Sequence, residues 1–377
     1  MAAARDNDQV RVTQVVFDLE GGGMESLVAE IVTRFAGTEF TMSVITLSGR
    51  IGRTGARIRA LVDQFHAIRP VPGLSMLAPL GLSRAIASTR PDVVHLHSGA
   101  WYKPALAARL ARVPRIVFTE HGRAHYDPAL LRWLDRTASR WTDVVLAVSD
   151  GVARYLTARV GVDESRVRTV PNGVDVECFT PGAPPEGLRA SLRLPADGMV
   201  IGSLGRFESV KAYDRLVGAY ARLVHGARRG CPLHLVLCGD GSQRAALERQ
   251  AAALGVADGV RFPGWTDTPL AFYRLFDVFA LTSLSEGASV SLLEAMSCGA
   301  APVVTDVGAN AELLGPDLAA QSISGWNVDA FASVLDSTLH EPGRRATVGR
   351  IARQRVVERY TLEGMITAYE RAYRGLL

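Results

Sequence analysis

Short apolar runs alternate with amphipathic stretches along the first half of the chain. VRVTQVVFDL is followed by the amphipathic segment MESLVAEIVTRFA and then by the apolar run FTMSVITL. The same order recurs in PDVVHLHS, KPALAARLARV and RIVFTEHG, and again in DVVLAVS and DGVARYLTARVG. Apolar strands separated by amphipathic helices are typical of a parallel, doubly wound α/β sheet with helices on its faces.

The same alternation begins again after a segment rich in turn-forming residues. VPNGVDVECFTPGAPPEGL contains Asn172-Gly173 and the Pro184-Pro185 pair, and both favour turns. Beyond this segment, helical stretches alternate with the apolar runs MVIGSLGRF, LHLVLCGDG, VRFPGW, DVFALTS and APVVTD. The pattern therefore predicts two α/β domains of similar design in tandem.

The domain boundaries follow from the position of this connection. We place the first domain over residues 1–175 and the second over residues 176–355. The last stretch, from about Arg344 to Leu377, has helical periodicity and no strand after it. It either caps the second domain or crosses back to the first, and we assign 356–377 to a helix that returns to the first domain.

Composition agrees with a two-domain globular protein. At 377 residues the chain exceeds the size at which one hydrophobic core usually keeps growing. No apolar run approaches the ~20 residues of a membrane-spanning helix, and acids stand near the N-terminus where a signal peptide has its apolar core. The four cysteines lack metal-binding or redox spacing, so we expect reduced packing residues in a cytoplasmic protein. They are Cys178, Cys231, Cys238 and Cys298.

The basic residues are nearly all arginine. Of 42 basic residues only Lys103 and Lys211 are lysines, which leaves 40 arginines, and the net charge is only +4. So small an excess does not indicate nucleic-acid binding. Because lysine is so rare here, we expect the two that are present to do what arginine cannot. A compact ammonium fits a narrow phosphate pocket better than a planar guanidinium does.

One group of arginines has no acidic residue among it. The segment GRIGRTGARIR contains Arg50, Arg53, Arg57 and Arg59. A solvated loop is one interpretation, and contact with an anionic acceptor or with the surface of a membrane is the other. A peripheral position at the inner face of a membrane follows only from the second interpretation.

Two carboxylates flank a turn of small residues in SEGASVSLLEAMSCG. Glu286 precedes the small residues and Glu294 follows them, within an apolar stretch. The glycine and serines disfavour a helix that begins at Glu286. The helix is predicted to begin near Ser289 to Ser291, with Glu294 in its second turn. The unpaired N–H groups of such a helix start attract phosphate, and the two carboxylates lie on either side of them.

Two further segments have the composition of phosphate-binding loops. Gly21-Gly22-Gly23 lies between a strand and a helix, where bare backbone can approach an oxyanion, although a tight packing turn is the alternative. The segment lacks the third glycine of a dinucleotide-binding fingerprint. In GSLGRFESVKAYDRL, Arg206 and Lys211 can point at one polyanion. The alternative is that they pair on the surface with Glu208 and Asp214.

Histidines stand at the ends of two predicted strands. His97 ends VVHLH and His121 follows VFTE, and ligands of open α/β sheets bind at the carboxyl ends of strands. Each could instead be a hydrogen-bonding residue of the fold. His95 shares a face with His97, but the pair lacks a third metal ligand. No D-x-D follows a predicted strand either, so we expect no metal cofactor.

Together these segments resemble the retaining GT-B glycosyltransferases, and specifically glycosyltransferase family 4. EGASVSLLE is similar to the family's E-x7-E signature, GRFESVK to its phosphate-binding Arg and Lys element, and GGGME to its N-terminal glycine loop. PNGVDVECFTP is similar to its interdomain connection, and LCGDGSQRAALE, VRFPGW and LLEAMSCGAAPVV stand in the family's order. The resemblance covers nearly the whole chain. It implies the GT-B fold, in which two Rossmann-like, doubly wound parallel-sheet domains face a cleft.

The resemblance also implies a reaction and residue roles. A nucleotide sugar, UDP- or GDP-linked, would be held mainly by the second domain and transferred with net retention and without metal. Arg206 and Lys211 would stabilise the departing diphosphate, Glu286 would position donor-sugar hydroxyls, and His121 would approach the sugar near the reacting carbon. The donor would also contact Gly22 and Gly23, Gly264 and Trp265 beside the base, the N–H groups of Val290 and Ser291, and Glu294 at the ribose.

The acceptor would be held mainly by the first domain. We predict that Lys103 faces it, with Trp101 and Tyr102 as a stacking surface, and that His97, at the end of the neighbouring strand, also contacts it. A surface lysine near a helix start is the alternative. The acceptor is a glycan, a lipid-linked compound or a small molecule with a free hydroxyl.

The chain departs from the family's pattern at three places. Ala288-Ser289 stand where members often have an aromatic residue and a glycine, and Ala212 replaces a frequent glycine. PDLAAQSISGW replaces a glycine-rich continuation. These departures bear on the identity of the donor.

Two other functions fit parts of the same pattern. A nucleotide-sugar epimerase or phosphorylase of this architecture would keep the same ribose and diphosphate residues, and nucleotide release that depends on an added acceptor distinguishes a transferase from it. A non-catalytic GT-B partner of an active transferase is the other alternative. The intact set of Arg206, Lys211, Glu286 and Glu294 argues against that partner role.

Overall fold

Contacts within the chain divide the computed structural model into two units. The structure describes residues 9–69, 79–122, 127–226, 232–341 and 343–377. Among these, one unit takes in the chain as far as Pro171 together with Met365–Leu377, and the other takes in Asn172–Gly364. Each unit is built around its own parallel sheet.

The sheet of the first unit has seven strands among the described residues. They are β1 (Val10–Val16), β2 (Phe40–Thr46), β3 (Gln64–Ala67), β4 (Val93–His97), β5 (Arg115–Glu120), β6 (Val144–Ala147) and β7 (Val167–Thr169). Their order is β3-β2-β1-β4-β5-β6-β7, with every neighbouring pair parallel. Residues of β4 and β6 are buried throughout, as in a sheet covered by helices on both faces.

Helices connect these strands. They are α1 (Gly23–Phe35), α2 (Arg53–Ile58), α3 (Leu80–Ser88), α4 (Tyr102–Leu110), α5 (Ala129–Ser139) and α6 (Asp150–Tyr155), which a π-helical turn extends over Leu156–Val160. A solvated loop was one interpretation of GRIGRTGARIR, but part of this segment forms α2. All four arginines of the segment are exposed on or beside that helix.

The sheet of the second unit has six strands among the described residues. They are β8 (Met199–Leu204), β9 (Leu233–Cys238), β10 (Val260–Gly264), β11 (Val278–Leu281), β12 (Ala301–Thr305) and β13 (Ser322–Ile323). Their order is β10-β9-β8-β11-β12-β13, again with parallel neighbours. The predicted fold class, two doubly wound parallel α/β sheets, is therefore confirmed.

The remaining helices follow the pattern of the second half of the chain. They are α7 (Leu188–Ser191), α8 (Tyr213–Gly226), α9 (Arg244–Ala253), α10 (Pro269–Tyr273), α11 (Val290–Ser297), α12 (Asn310–Leu314), α13 (Val328–His340), α14 (Arg344–Arg359) and α15 (Leu362–Arg374). The end of α15 packs within the first unit. There, Gln14 Nε2 donates to the Tyr373 hydroxyl at 3.0 Å and Arg115 Nε donates to the Ala372 carbonyl at 2.7 Å.

The strand order reverses once in each sheet. In the first sheet the chain moves outward on one side of β1 and then returns to its other side at β4, and β8 and β11 have the same relation in the second sheet. Ligands of open α/β sheets bind outside the carboxyl ends of the strands at such a point. The glycine loop and His97 lie at that position in the first unit, as do Arg206 and Glu286 in the second.

Two observations concern the cysteines and the membrane. Cys238 and Cys298 are buried free thiols, as expected, and burial raises the pKa of each to about 12. Cys178 is exposed on the surface, so its assignment as a packing residue was wrong. Cys231 lies outside the described residues.

None of the helices in the described part of the chain has the length and apolar character needed to cross a membrane.

Candidate active site

The start of α11 brings the two carboxylates of the signature together with bare backbone. Ser289 caps the helix, because its backbone is extended and its Oγ accepts a hydrogen bond from the N–H of Leu292 at 3.4 Å. Val290 and Ser291 lie in the first turn, where backbone N–H groups have no partner within the helix. Glu286 lies in the preceding loop and Glu294 in the second turn. The predicted helix start is therefore confirmed.

Glu286 is held by two donors. Its Oε1 accepts hydrogen bonds from Lys211 Nζ and from Ser283 Oγ, each at 2.6 Å. The side chain of Glu286 is only 9% exposed and that of Lys211 is 20% exposed, so this charge-assisted pair is largely shielded from water. Lys211 therefore does not pair on the surface with Glu208 or Asp214. Glu208 instead accepts a hydrogen bond from the hydroxyl of Ser242 at 2.7 Å.

Backbone contacts hold the loop that carries Glu286. Gly308 has a φ of +58°, and a Cβ at this position would lie 1.7 Å from the Glu286 carbonyl oxygen. Only glycine fits so close an approach. The N–H of Ala309 donates to the carbonyl of Gly287 at 3.0 Å, and the buried Asn172 donates through Nδ2 to the carbonyl of Ala288 at 2.9 Å. These contacts place the Glu286 side chain without using its carboxylate.

The loop after β8 carries Arg206 and Lys211, the two cations predicted from the sequence to bind one polyanion. Arg206 is exposed, while Phe207 beside it is buried and exchanges backbone hydrogen bonds with the segment that follows β9. After Lys211 the chain turns through Ala212, a non-glycine residue in the left-handed region with φ +46°. The carbonyl of Ala212 accepts a hydrogen bond from Thr282 Oγ1 at 2.9 Å. This turn directs Lys211 toward the loop after β11.

Glu294 has a partner that the sequence did not indicate. Its Oε2 accepts a hydrogen bond from the hydroxyl of Tyr273, at the end of α10, at 2.7 Å. Burial and the nearby Glu294 carboxylate raise the pKa of Tyr273 well above its ordinary value, so the phenol stays a donor. Gly264, with a φ of +90°, is the last residue of β10, and Trp265, which is 41% exposed, follows it.

In the first unit, the glycine loop forms the start of a helix. Gly23 is the first residue of α1 and Gly22 stands at its N-cap position with an extended backbone. The carbonyl of Gly22 accepts the first hydrogen bond of the helix, from the N–H of Ser26, at 2.9 Å. This arrangement leaves the first-turn N–H groups available to an anion.

The histidines at the strand ends form a buried cluster. His97 Nδ1 lies 2.9 Å from His121 Nε2, and His97 Nε2 lies 2.8 Å from Gln14 Oε1. His95 contacts the hydroxyls of Tyr373 at 2.8 Å and Thr119 at 2.7 Å. Burial lowers the pKa of all three imidazoles, that of His121 to about 3, so the rings are neutral near pH 7.

The same contacts correct the prediction for His97. Its side chain is fully buried and both of its nitrogens have hydrogen-bond partners, so it does not face an acceptor. His121 differs, because its Nδ1 is buried and has no hydrogen-bond partner among the residues that the structure describes. A buried polar atom without a partner calls for an explanation, and a ligand contact is one.

The predicted stacking surface next to this cluster was wrong for Trp101. The Trp101 indole is only 4% exposed, stacks on Phe118 with the ring centroids 3.9 Å apart, and donates to Thr142 Oγ1 at 3.0 Å. It is therefore part of the core. Tyr102 is half-buried with its ring 5.6 Å from that of Trp141, and Lys103 lies in the first turn of α4. A contact of Lys103 with the acceptor stays a prediction.

Among the residues that the structure describes, no three or more His, Cys, Asp or Glu side chains are arranged to hold a metal ion. The polar groups of the site are instead an ammonium, a guanidinium, carboxylates and helix starts.

Comparison with known proteins agrees with this arrangement. The model of Glycosyltransferase Family 4 matches residues 21–178, and that of Glycosyl transferases group 1 matches residues 186–355. A D-inositol 3-phosphate glycosyltransferase of Xylanimonas cellulosilytica is 31% identical over 313 residues, covering 75% of this chain and 72% of that protein. The chain belongs to glycosyltransferase family 4. It is therefore a glycosyltransferase that uses a nucleotide-sugar donor.

Two further comparisons support the family and the fold. A D-inositol 3-phosphate glycosyltransferase of Gordonia bronchialis is 28% identical to this family 4 enzyme, over 94% of this chain and 85% of that protein. The structure of Anabaena Alr3699/HepE in complex with UDP and glucose has a TM-score of 0.83 at 18% identity. The match covers 98% of this chain and 100% of that one. The GT-B fold implied by the sequence is therefore confirmed.

Proposed function

We propose that this family 4 enzyme transfers a sugar from a UDP- or GDP-sugar to an acceptor hydroxyl, with net retention and without metal. The observation that carries the proposal is the pair of Lys211 and Glu286, 2.6 Å apart, beside the start of α11. A diphosphate there meets the ammonium of Lys211, the guanidinium of Arg206 and the first-turn N–H groups of Val290 and Ser291. Preorganised donors of this kind stabilise the charge that develops on a leaving group.

The two carboxylates have separate tasks in this proposal. Glu286 accepts hydrogen bonds from hydroxyls of the donor sugar, and Glu294 accepts them from the ribose. Both are already anchored by donors of the chain, Glu286 by Lys211 and Ser283 and Glu294 by Tyr273. A carboxylate fixed in this way can orient a hydroxyl at little further cost in side-chain entropy. Gly264 and Trp265 border the base, and Gly22 and Gly23 are proposed as further donor contacts.

The reaction needs no protein nucleophile. The bond between the anomeric carbon and the phosphate oxygen breaks, the acceptor oxygen bonds to the same face of the carbon, and the leaving phosphate takes the acceptor's proton. Two donors already occupy Oε1 of Glu286, which makes this carboxylate a poor nucleophile. His121, with a neutral imidazole, lies beside the sugar and accepts a hydrogen bond from it.

The choice of donor and acceptor to test first follows from the similar proteins. The Anabaena structure contains UDP and glucose, so UDP-glucose is the first donor to test. Relatives from several organisms are named D-inositol 3-phosphate glycosyltransferases, so that phosphorylated alcohol is the first acceptor. Glycans and lipid-linked alcohols are the other acceptor classes, and Lys103 is proposed to contact whichever is used.

Two kinds of anionic partner fit the exposed arginines on and beside α2. Arg50, Arg53, Arg57 and Arg59 suit either an anionic acceptor or an anionic membrane surface on the cytoplasmic side. Cosedimentation with phosphatidylglycerol vesicles but not with phosphatidylcholine vesicles supports the membrane contact. Contact with an anionic acceptor is supported if arginine-to-alanine variants bind the acceptor more weakly and the wild-type protein does not cosediment with either kind of vesicle.

Donor binding is tested by thermal stabilisation. UDP-, GDP-, dTDP- and ADP-sugars are added in the presence of EDTA, because a ligand that binds only the folded chain raises its melting temperature. We expect a shift with one nucleotide class that is lost in Glu294→Ala. The matched control is Glu358→Ala, an exposed glutamate of α14 whose carboxylate accepts from Gln354, and it retains the shift. Stabilisation that appears only when metal is added contradicts the metal-free proposal.

Transfer is distinguished from the alternatives by its dependence on acceptor. Nucleotide release that rises on addition of an acceptor identifies a transferase, whereas release or isomerisation of the donor alone identifies an epimerase or phosphorylase. Proton NMR of the product gives the anomeric configuration. An inverted product contradicts the proposed retention, and donor binding without any turnover would indicate a non-catalytic partner protein.

A further inference from the structure

A continuous chain of hydrogen bonds runs behind His121 in the first unit. It passes from His121 through His97 to Gln14, from Gln14 to Tyr373 of α15, and from Tyr373 through His95 to Thr119. Its five hydrogen bonds are between 2.7 and 3.0 Å long. Every other residue of this chain of hydrogen bonds is buried, and His121 is partly exposed.

The direction of one bond in this chain sets the direction of the others. Each ring nitrogen of His97 has one partner, and a neutral imidazole donates from one nitrogen and accepts at the other. Gln14 donates through Nε2 to Tyr373, so its Oε1 accepts from His97 Nε2. His97 Nδ1 must then accept, and the proton between the two rings belongs to His121 Nε2.

The unpartnered atom at the end of the chain agrees with this direction. With the proton on Nε2, His121 Nδ1 is a bare acceptor, whereas the reverse direction would put an N–H there. That nitrogen is buried, and no group in the described part of the chain forms a hydrogen bond with it. Buried N–H groups without an acceptor are rarer than acceptors without a donor, so the geometry favours the bare nitrogen.

We propose that His97 and Gln14 are positioning residues that hold His121 as the Nε2–H tautomer, with Nδ1 presented as a hydrogen-bond acceptor, and that Tyr373 holds the amide of Gln14 in place. For its ligand, a hydroxyl of the donor sugar, this inference rests on the proposed function. Because Nδ1 is buried, the hydroxyl has to displace neighbouring side chains to reach it. An unpaired buried acceptor costs free energy, and a hydroxyl donor removes that cost.

The backbone of His121 is fixed independently of this chain. Its N–H donates to Ser98 Oγ at 2.5 Å, and Ser98 Oγ donates to the buried carboxylate of Glu120 at 2.6 Å. The same carboxylate accepts from the N–H of Gly122 at 3.2 Å. The end of β5 is therefore rigid, which leaves the ring tautomer as the property that His97 and Gln14 control.

The tautomer is read directly by NMR of the full chain labelled with ¹⁵N-histidine, with His121→Gln used to assign the signals. Long-range ¹H–¹⁵N correlations distinguish a protonated ring nitrogen from a bare one. We expect Nε2 protonated and Nδ1 bare in the wild-type protein. A protonated Nδ1, or an even mixture of tautomers, overturns the proposal whether or not the enzyme is active.

Two variants test the positioning residues. Tyr373→Phe removes the hydroxyl that anchors the Gln14 amide, and Gln14→Leu removes the amide, so in both the His121 signals should move toward a mixture of tautomers. The control is Tyr369→Phe, a buried tyrosine of the same helix that has no hydrogen bond to Gln14. His121 signals that match the wild type in both variants overturn the proposal, and a match in Tyr373→Phe alone removes Tyr373 from it.

Ligand binding separates this inference from the proposed function. Loss of one neutral hydrogen bond to the sugar should weaken UDP-sugar binding about five- to tenfold in Gln14→Leu. Binding of UDP alone should not change. Equal weakening of both ligands would indicate general damage to the fold and contradict the positioning role. If the wild-type protein binds no nucleotide, the proposed function fails, while the tautomer measurement still decides the assignment of His97 and Gln14.

Discussion

Lys211 Nζ lies 2.6 Å from Glu286 Oε1, and this ion pair joins the loop after β8 to the loop after β11. The two strands are neighbours at the point where the order of the second sheet reverses. The pair therefore fixes an ammonium at the carboxyl end of the sheet. A diphosphate bound there has to share Lys211 with Glu286, and this makes Lys211 the first residue to vary.

Replacing Lys211 with methionine should affect both stability and rate. Glu286 would lose its charged partner while only 9% exposed, and hydrogen bonds to charged groups are worth roughly 1.5–3 kcal/mol, so we expect the free energy of unfolding to fall by about 2 kcal/mol. Removing one preorganised donor from a leaving group typically costs about 10²–10³-fold in rate. Urea unfolding measures the first effect and initial rates of transfer the second.

The double variant Lys211→Met/Glu286→Gln separates these effects. A neutral amide tolerates the methionine better than a carboxylate does, so unfolding free energy should return toward the wild-type value. The transfer rate should stay low, since neither residue can act on the donor. A double variant with wild-type activity would contradict the assignment of Lys211 to the diphosphate.

Tyr273→Phe should weaken donor binding through Glu294. The phenol anchors Glu294 Oε2 at 2.7 Å, and without it the carboxylate loses a contact that fixes its orientation toward the proposed ribose site. The loss of one hydrogen bond, about 1 kcal/mol, corresponds to roughly a fivefold higher Kd for UDP by calorimetry. Tyr220→Phe is the matched control, because it removes a buried hydroxyl that donates to the Leu233 carbonyl at 2.8 Å. An equal loss of UDP affinity in the control would reject the specific role of Tyr273.

Ala212→Gly should stabilise the second unit. Ala212 has a φ of +46°, in the left-handed region that costs a residue with a Cβ roughly 1–2 kcal/mol. The larger conformational entropy of an unfolded glycine offsets part of this relief. We therefore expect the free energy of unfolding to rise by about 1 kcal/mol, or Tm by about 2–4 °C by calorimetry. Ala221→Gly, at a buried position inside α8, should instead destabilise by about 1 kcal/mol. A lower Tm for Ala212→Gly would contradict the strain.

The histidine cluster should make stability fall in acid. Burial lowers the pKa of His95, His97 and His121 in the folded chain, that of His121 to about 3, whereas an unfolded histidine titrates near 6.5. Below about pH 6.5 the unfolded chain therefore binds more protons, and each group contributes up to about 1.4 kcal/mol per pH unit of lost stability. Stability should be complete above about pH 6.5.

Urea unfolding between about pH 7 and pH 5 measures this slope. His95→Asn should reduce it by about a third, because one of three protons is removed. The control is Tyr220→Phe, which removes a buried hydroxyl and no imidazole and should leave the slope unchanged. A flat profile over this range would mean that the buried rings take up protons as readily as those of the unfolded chain.

Much of the secondary structure could be predicted from the local pattern of apolar and polar residues in the sequence. Alternating apolar and amphipathic runs identified most of the strands and helices, and the small residues at 287–291 located the start of α11 at its observed N-cap. Both signals depend on residues within a few positions of one another. The strands that this pattern did not predict, β3, β7 and β13, lie at the edges of their sheets and have few buried residues, so they lack the apolar run that marks the other strands.

Tertiary structure alone decided which distant residues meet. The strand order sets Gln14 beside His95 across β1 and β4, and α15 brings Tyr373 to Gln14 from 359 positions away. The same cause joins Lys211 to Glu286, and it buries Trp101 against Phe118 although its segment looked open to an acceptor. The sequence by itself determined the elements, the family and the kinds of residue at the site, because these are local properties. Pairing and burial depend on strand order and packing, which no local pattern contains.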